Sequence, residues 1–159
     1  GVVTSVVWTR HGVLSGSRDG TVRFWNVAQK KQVARLEGHA GAVDSVVLSP
    51  DGATAVSGGE DKTVRLWSVA AGKELHCFKG HENAVIHVQF AADGRFVNSS
   101  SGQHLNTERT WRRWDLMKRT EQGSRLLGEN YRFNCAAFSP DGRFILVGGP
   151  YGFLHSRSW

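Results

Sequence analysis

The sequence predicts an all-β chain assembled from repeated four-stranded units, and three observations carry that expectation. Landmarks recur at a fixed interval: Gly38-His39 and Gly80-His81 are 42 residues apart, as are Asp51-Gly52 and Asp93-Gly94, and Trp25 and Trp67. The stretches between landmarks are short, rich in β-branched and aromatic residues, and bounded by turn formers, which is how strands read. No segment of the 159 residues carries a helical period.

The elements follow in order. The first unit, "VTSVVWTRHGVLSGSRDGTVRFWNV", fits the repeat if "TRHG" replaces the "SPDG" of the next unit and the following strand is two residues shorter. In the second unit "VDSVVL" is an inner strand, and Ser49-Pro50-Asp51-Gly52 turns the chain. There Pro presets its own φ, Asp caps locally and Gly accepts positive φ. "ATAVSGG" and "KTVRLW" form the next two strands, and after a turn holding Gly72 "LHCF" supplies an outer fourth. The third unit opens with "VIHVQF"; Trp67 to Trp114 is 47 residues, the extra length falling around "SSSGQHLNTER". A fourth unit begins at "NCAAFSPDGRFILVGG". The units lie at approximately 1–37, 38–79, 80–127 and 128–159, the last without an outermost strand, as one repeat segment. Four short strands per period of about 40–45 residues are the signature of a β-propeller blade.

With these residues in view the chain resembles the WD-repeat family over essentially its whole length. The marks are Gly-His at 38–39 and 80–81, Ser-Pro-Asp-Gly at 49–52 and 139–142, "SGSRDGTVRFW", "SGGEDKTVRLW", and the Trp-Asp pair in "RRWDL" (112–116). The resemblance implies a structural His–Ser–Asp–Trp network at His39, Ser57, Asp61 and Trp67. Those residue types also suggest a hydrolytic triad. Ser15, Asp19 and Trp25, however, repeat the spacing of Ser57, Asp61 and Trp67, four residues and then six. A catalyst needs one nucleophile beside one oxyanion site, not a copy in each unit, whereas a fastening network is wanted in every blade. The third unit keeps His81, Ser99 and Trp114 with Glu108 in the Asp position; the fourth has Glu129-Asn130, Val147, Tyr151 and either Arg157 or Trp159 at the matching places.

Composition removes several other classes. No apolar run reaches the ~18 residues of a membrane helix, and no secretory signal opens the sequence. Cys77 and Cys135 are too few and too distant for a disulfide framework, which points to a reducing compartment, the cytoplasm. Gly58-Gly59 followed by Lys62-Thr63 suggests a phosphate cradle, but Thr63 begins a strand rather than the helix that motif requires. The seven histidines form no metal-ligand spacing. No cofactor or metal is expected, and no catalytic residue. The net charge is +6, of which residues 95–132 contribute four through eight Lys/Arg against four Asp/Glu. Arg109, Arg112, Arg113, Lys118 and Arg119 therefore suggest an alternative, a basic surface for nucleic acid or acidic lipid.

The leading expectation is a non-catalytic scaffold that binds a protein or peptide across the propeller face. In the family that face is made by the start of each innermost strand and by the turn between second and third strands. Carried over by position, the first set is Val2, Ala42, Ala84 and Arg132, with Thr4, Asp44, Ile86 and Asn134 two residues on. The second set is Arg18, Glu60 and Thr107, and the insertion 101–107 is a separate candidate. Rings of this class run from about four to eight blades, and the resemblance implies seven or eight, so four units with the last incomplete suggest roughly half a ring, a closed four-blade ring being the alternative. Unpaired edges of an open ring invite another chain, and a second copy or partner completing the propeller is a further expectation.

Overall fold

The structure is a computed structural model and describes residues 1–102, 110–126, 135–139, 144–148 and 154–158. Its regular elements among those residues are all strands, in four antiparallel sheets. The first sheet contains β1 (Val3–Thr9), β2 (Gly12–Ser17), β3 (Thr21–Asn26) and β4 (Lys31–Glu37). The second contains β5 (Val43–Leu48), β6 (Thr54–Gly59), β7 (Val64–Ser68) and β8 (Lys73–Phe78). The third contains β9 (Val85–Phe90), β10 (Phe96–Ser101), β11 (Thr110–Asp115) and β12 (Thr120–Leu126). Three strands, β13 (Cys135–Phe138), β14 (Phe144–Gly148) and β15 (Leu154–Ser158), make the fourth. Spatial order follows chain order in each sheet, so each is a meander, and the four are blades of a partial, unclosed propeller.

Turn chemistry explains the meanders. Gly52 (φ +77°) and Gly94 (φ +66°) supply the left-handed residue in the first hairpins of the second and third blades. Asp51 Oδ1 accepts from the Ser49 hydroxyl (2.5 Å) and from the Ala53 N–H (2.9 Å), closing the loop at residues 49–53. The first blade corrects the expectation of a shorter second strand: β2 spans six residues, as β6 does. The shortening falls in the hairpin, where only Arg10 and His11 separate β1 from β2 and Thr9 pairs directly with Gly12. A strand cannot lose two residues without losing ladder bonds, whereas a turn can be replaced by a tighter one.

Cores form between blades rather than within them. Leu14, Val22 and Phe24 of the first blade pack on Val43, Val46, Leu48, Ala55 and Trp67 of the second. Val56, Val64 and Leu66 of the second pack in the same way on Val85, Val88, Phe90, Val97 and Trp114 of the third. Glycine fixes the closeness of this approach. A Cβ on Gly16 would lie 2.9 Å from Val43 Cγ1, and one on Gly58 only 2.4 Å from Val85 Cγ1. Each inner-strand valine pair thus seats over a glycine of the preceding blade.

Candidate functional site

In the second blade four sequence-predicted residues meet in one chain of hydrogen bonds. His39 sits in the loop before β5, Ser57 in β6, Asp61 in the β6–β7 turn and Trp67 in β7. His39 Nδ1 lies 2.9 Å from Asp61 Oδ1, and its Nε2 lies 2.7 Å from Ser57 Oγ, which also accepts from Trp67 Nε1 at 2.8 Å. A carboxylate only accepts, so Nδ1 carries the proton, Nε2 is the acceptor, and the Ser57 hydroxyl must donate to it. The direction Trp67 to Ser57 to His39 to Asp61 is therefore fixed at every link. Burial holds the imidazole below its ordinary pKa, against the opposing pull of Asp61. Burial would raise the Asp61 carboxyl, but the Thr63 hydroxyl and His39 outweigh it and hold it at about 2. Ser57 is 0% exposed and engaged on both sides, which leaves its oxygen no path to a substrate.

Two further side chains belong to this network and were not assigned to it from the sequence. Thr63 donates from Oγ1 to Asp61 Oδ1 at 2.8 Å, and Arg65 donates from Nε to Thr63 Oγ1 (3.1 Å), from Nη2 to Asp61 (3.2 Å) and from Nη1 to Glu74 (2.5 Å). A signal was present: Thr-x-Arg stands at 21–23, 63–65 and 110–112, always just before the tryptophan. In the first blade Trp25 donates to Ser15 at 2.9 Å, while Asp19 accepts from Thr21 (2.5 Å) and Arg23 (2.8 Å).

The third blade keeps half of the pattern. Trp114 Nε1 donates to Ser99 Oγ (2.8 Å), which lies 2.6 Å from His81 Nε2. The other nitrogen of His81 meets the Thr110 hydroxyl at 2.9 Å, and Thr110 is bonded in turn to Ser101 at 2.8 Å. No carboxylate faces this imidazole among the described residues. Burial, with the Arg112 charge adding to it, drives the His81 pKa down to about 3. Glu108 lies outside the described residues, as do Glu129, Asn130, Tyr151, Trp159 and the side chains of Val147 and Arg157.

The expected binding rim lies at the end of the blades where these loops gather. Thr4, Asp44 and Ile86 share one backbone feature. In β1 the register passes from Val3↔Ser17 to Ser5↔Gly16, in β5 from Val43↔Gly59 to Ser45↔Gly58, and in β9 from Val85↔Ser101 to His87↔Ser100. Each of the three is thus the extra residue of a bulge, which breaks the ladder locally and re-aims a side chain. Arg18 and Glu60 are exposed at the β2–β3 and β6–β7 turns, and Val2 is exposed beside them. Ala42 is buried; its N–H donates to Glu60 Oε2 (3.1 Å) and its carbonyl accepts from the Glu60 N–H (2.9 Å). It holds the turn instead of offering a surface, and Ala84 is half-buried. Burial and the neighbouring Glu60 charge raise the Asp44 carboxyl, with Arg18 opposing. Arg18, Asp19, Gly20, His39, Ala40 and Gly41 line a cleft of about 290 Å³ between the first two blades. Thr107, Arg132 and Asn134, and positions 103–107 of the insertion, lie outside the described residues.

The basic residues are less free than their count suggests. Arg112 pairs with Glu121, and the Arg113 guanidinium rests 4.3 Å from the centre of the Phe96 ring. Lys118 and Arg119 are exposed, and Arg109 lies outside the described residues. Among the described residues no group of three or more His, Cys, Asp or Glu is placed to hold a metal ion, and no helix is long and apolar enough to cross a membrane.

Comparison with known proteins agrees with this geometry. The family model described as "WD domain, G-beta repeat" matches residues 1–26, 30–68, 72–115 and 122–152. A similar curated protein is the small ribosomal subunit protein RACK1y of Oryza sativa subsp. japonica, 46% identical over 41 residues. That match covers 26% of this chain and 12% of the relative's length.

Proposed function

The chain belongs to the WD-repeat family, and on that premise we propose that it is a non-catalytic scaffold that holds a protein or peptide segment across the bulged rim of its blades. Membership supports a protein-interaction role in general; the rim is the finer reading. The observation that carries it is the bulge repeated at Thr4, Asp44 and Ile86, since three blades break their ladders at the same place and set unlike residues there. A bulge re-aims a side chain where the ladder is broken, so its recurrence at one rim suits recognition. Arg18 and Asp19 line the cleft between the first and second blades, and Asp44 stands within reach of the Arg18 and Glu60 charges on the same rim. Both signs of charge are thus present for a segment carrying charges in alternation. Of the rim positions carried over from the sequence, Arg132, Asn134 and Thr107 extend the same proposal to the third and fourth blades. We place this work in the cytoplasm, in keeping with the ribosomal subunit named for the rice relative.

The test is selection of a random peptide library on the folded chain, followed by measurement of the enriched peptides on variants. Binding is expected to fall at least tenfold in Arg18→Glu and Asp44→Lys and to be unchanged in Met117→Ala, whose side chain is exposed on another edge. Peptides indifferent to both rim variants would sink the proposal.

A second reading, assembly with a further blade, rests on one observation. Val6 and Trp8 are 59% and 73% exposed, whereas their equivalents are nearly covered: Val46 3% and Leu48 6% in the second blade, Val88 3% and Phe90 9% in the third. Light scattering tests its self-association form in solution, a mass of one chain speaking against a second copy on that face. The basic-surface alternative has less in its favour, because Arg112 and Arg113 are engaged within their own blade.

A further inference from the structure

The seams between blades are built alike until the third. Leu14, Gly16, Val22 and Phe24 turn toward the second blade, and Val56, Gly58, Val64 and Leu66 toward the third. In the third blade the register places Asn98, Ser100, Trp111 and Arg113 at the same four positions. This face is turned to the fourth blade. The Phe138 ring lies 5.3 Å from Trp111 and 5.9 Å from His87, and Gln89 grips its backbone, donating to the Phe138 carbonyl (2.9 Å) and accepting from its N–H (3.1 Å). Asn98 stands opposite Gln89 and Arg113, and Ser100 opposite His87 and Trp111, so all six share one side of the sheet.

Asn98 is 0% exposed and Ser100 3%. Among the described residues neither the oxygen nor the nitrogen of the Asn98 amide has a hydrogen-bond partner, nor does the Ser100 hydroxyl, nor Nε2 of His87. Buried polar groups are almost always bonded, to protein or to ordered water. Each equivalent of Asn98 in the first two blades is an aliphatic residue at 0% exposure, so an apolar filling of the seam is available to this fold and is not used here. A buried water needs two to four polar partners in a polar niche, and the amide, the hydroxyl and the imidazole nitrogen supply donors and acceptors without a net charge.

We propose that the seam between the third and fourth blades encloses ordered water, bound by the Asn98 amide and the Ser100 hydroxyl, where the first two seams are dry. The water would complete bonds that the protein leaves open, and the Gln89 grip on Phe138 would be the direct tie across the joint.

Water-to-protein cross-relaxation in NMR tests this on the whole chain, with the Asn98 side-chain signals assigned by their loss in Asn98→Val. The expected result is a cross-peak from the Asn98 amide protons to water with the sign of a long-lived bound molecule. The Gln89 amide, already bonded to the Phe138 carbonyl, serves as the internal reference. The variant Asn98→Val with Ser100→Gly, which rebuilds the second blade's pattern, is expected to lose the bound-water signal while keeping its β-sheet circular dichroism. If that variant fails to fold, the wild-type cross-peak decides alone. Absence of the peak, or an experimental structure with the Asn98 amide bonded to another protein group, overturns the proposal.

Discussion

Replacing Ser57 by alanine removes one oxygen on which two buried groups depend. Trp67 Nε1 loses its acceptor at 2.8 Å and His39 Nε2 its donor at 2.7 Å, in a place with no solvent exposure. Each buried group left unbonded costs about 1–3 kcal/mol, so the pair gives roughly 3 kcal/mol after modest relaxation. Ser15→Ala is the matched control: the Ser15 hydroxyl meets Trp25, which is only half-buried, and about 1 kcal/mol is expected there. Urea unfolding followed by far-ultraviolet circular dichroism reads both, with the midpoint shifting and the slope unchanged. Should the two variants fall within about 0.5 kcal/mol of each other, the directional chain through Ser57 is not what holds the second blade, and the reasoning fails.

Two other outcomes follow from the same geometry. The folded pKa of His81 is about 3 against 6.5 for the free group, so between those values the unfolded chain binds a proton that the folded chain refuses. Stability is therefore full above pH 6.5 and lost on acidification through that window, by up to about 4–5 kcal/mol at ~1.4 kcal/mol per pKa unit. Asp61 adds a later loss as pH falls from 3.8 toward 2. Urea midpoints from pH 7 to 4 check the first window, and His81→Asn is expected to make it shallower, with buried His39 keeping a share of the loss. In Gly58→Ala the new Cβ meets Val85 Cγ1 at 2.4 Å, an overpacking worth about 1–3 kcal/mol. Trimming the knob in the double variant with Val85→Ala is expected to cost less than the two single changes summed, and strict additivity in a double-mutant cycle would contradict the seat.

Much of this architecture was legible from spacing alone. The 42-residue interval and the alternation within "VDSVVL" gave the blades, because a strand's two faces are fixed by a period of two. The Ser57, Asp61, Trp67 spacing and its copy at Ser15, Asp19, Trp25 identified which polar residues travel together. Thr63 and Arg65 were passed over because a threonine and an arginine in a strand read as ordinary sheet residues. Only the fold shows Oγ1 and the guanidinium converging on one carboxylate. The bulges at Thr4, Asp44 and Ile86 leave no compositional mark, since any residue can stand in them; the register records them and the letters do not. The polar face of the third blade was in plain sight as "VNSSS" and "WRRW", but its meaning depends on Phe138, which lies 40 residues beyond Asn98 in the chain.

The glycine seats bear on how such a chain could be lengthened or re-ordered. Gly58 accepts Val85 and Val88, and Gly16 accepts Val43 and Val46, so the second blade carries both halves of one fitting, valines on its leading face and a glycine on its trailing face. A duplicate of residues 38–79 inserted after the original would find each of its surfaces matched. The same duplicate placed after the third blade would meet Ser100 where its valines need a hollow. The first two joints of the arc are in this sense standard couplings into which a module can be spliced, and the third is keyed to one neighbour only.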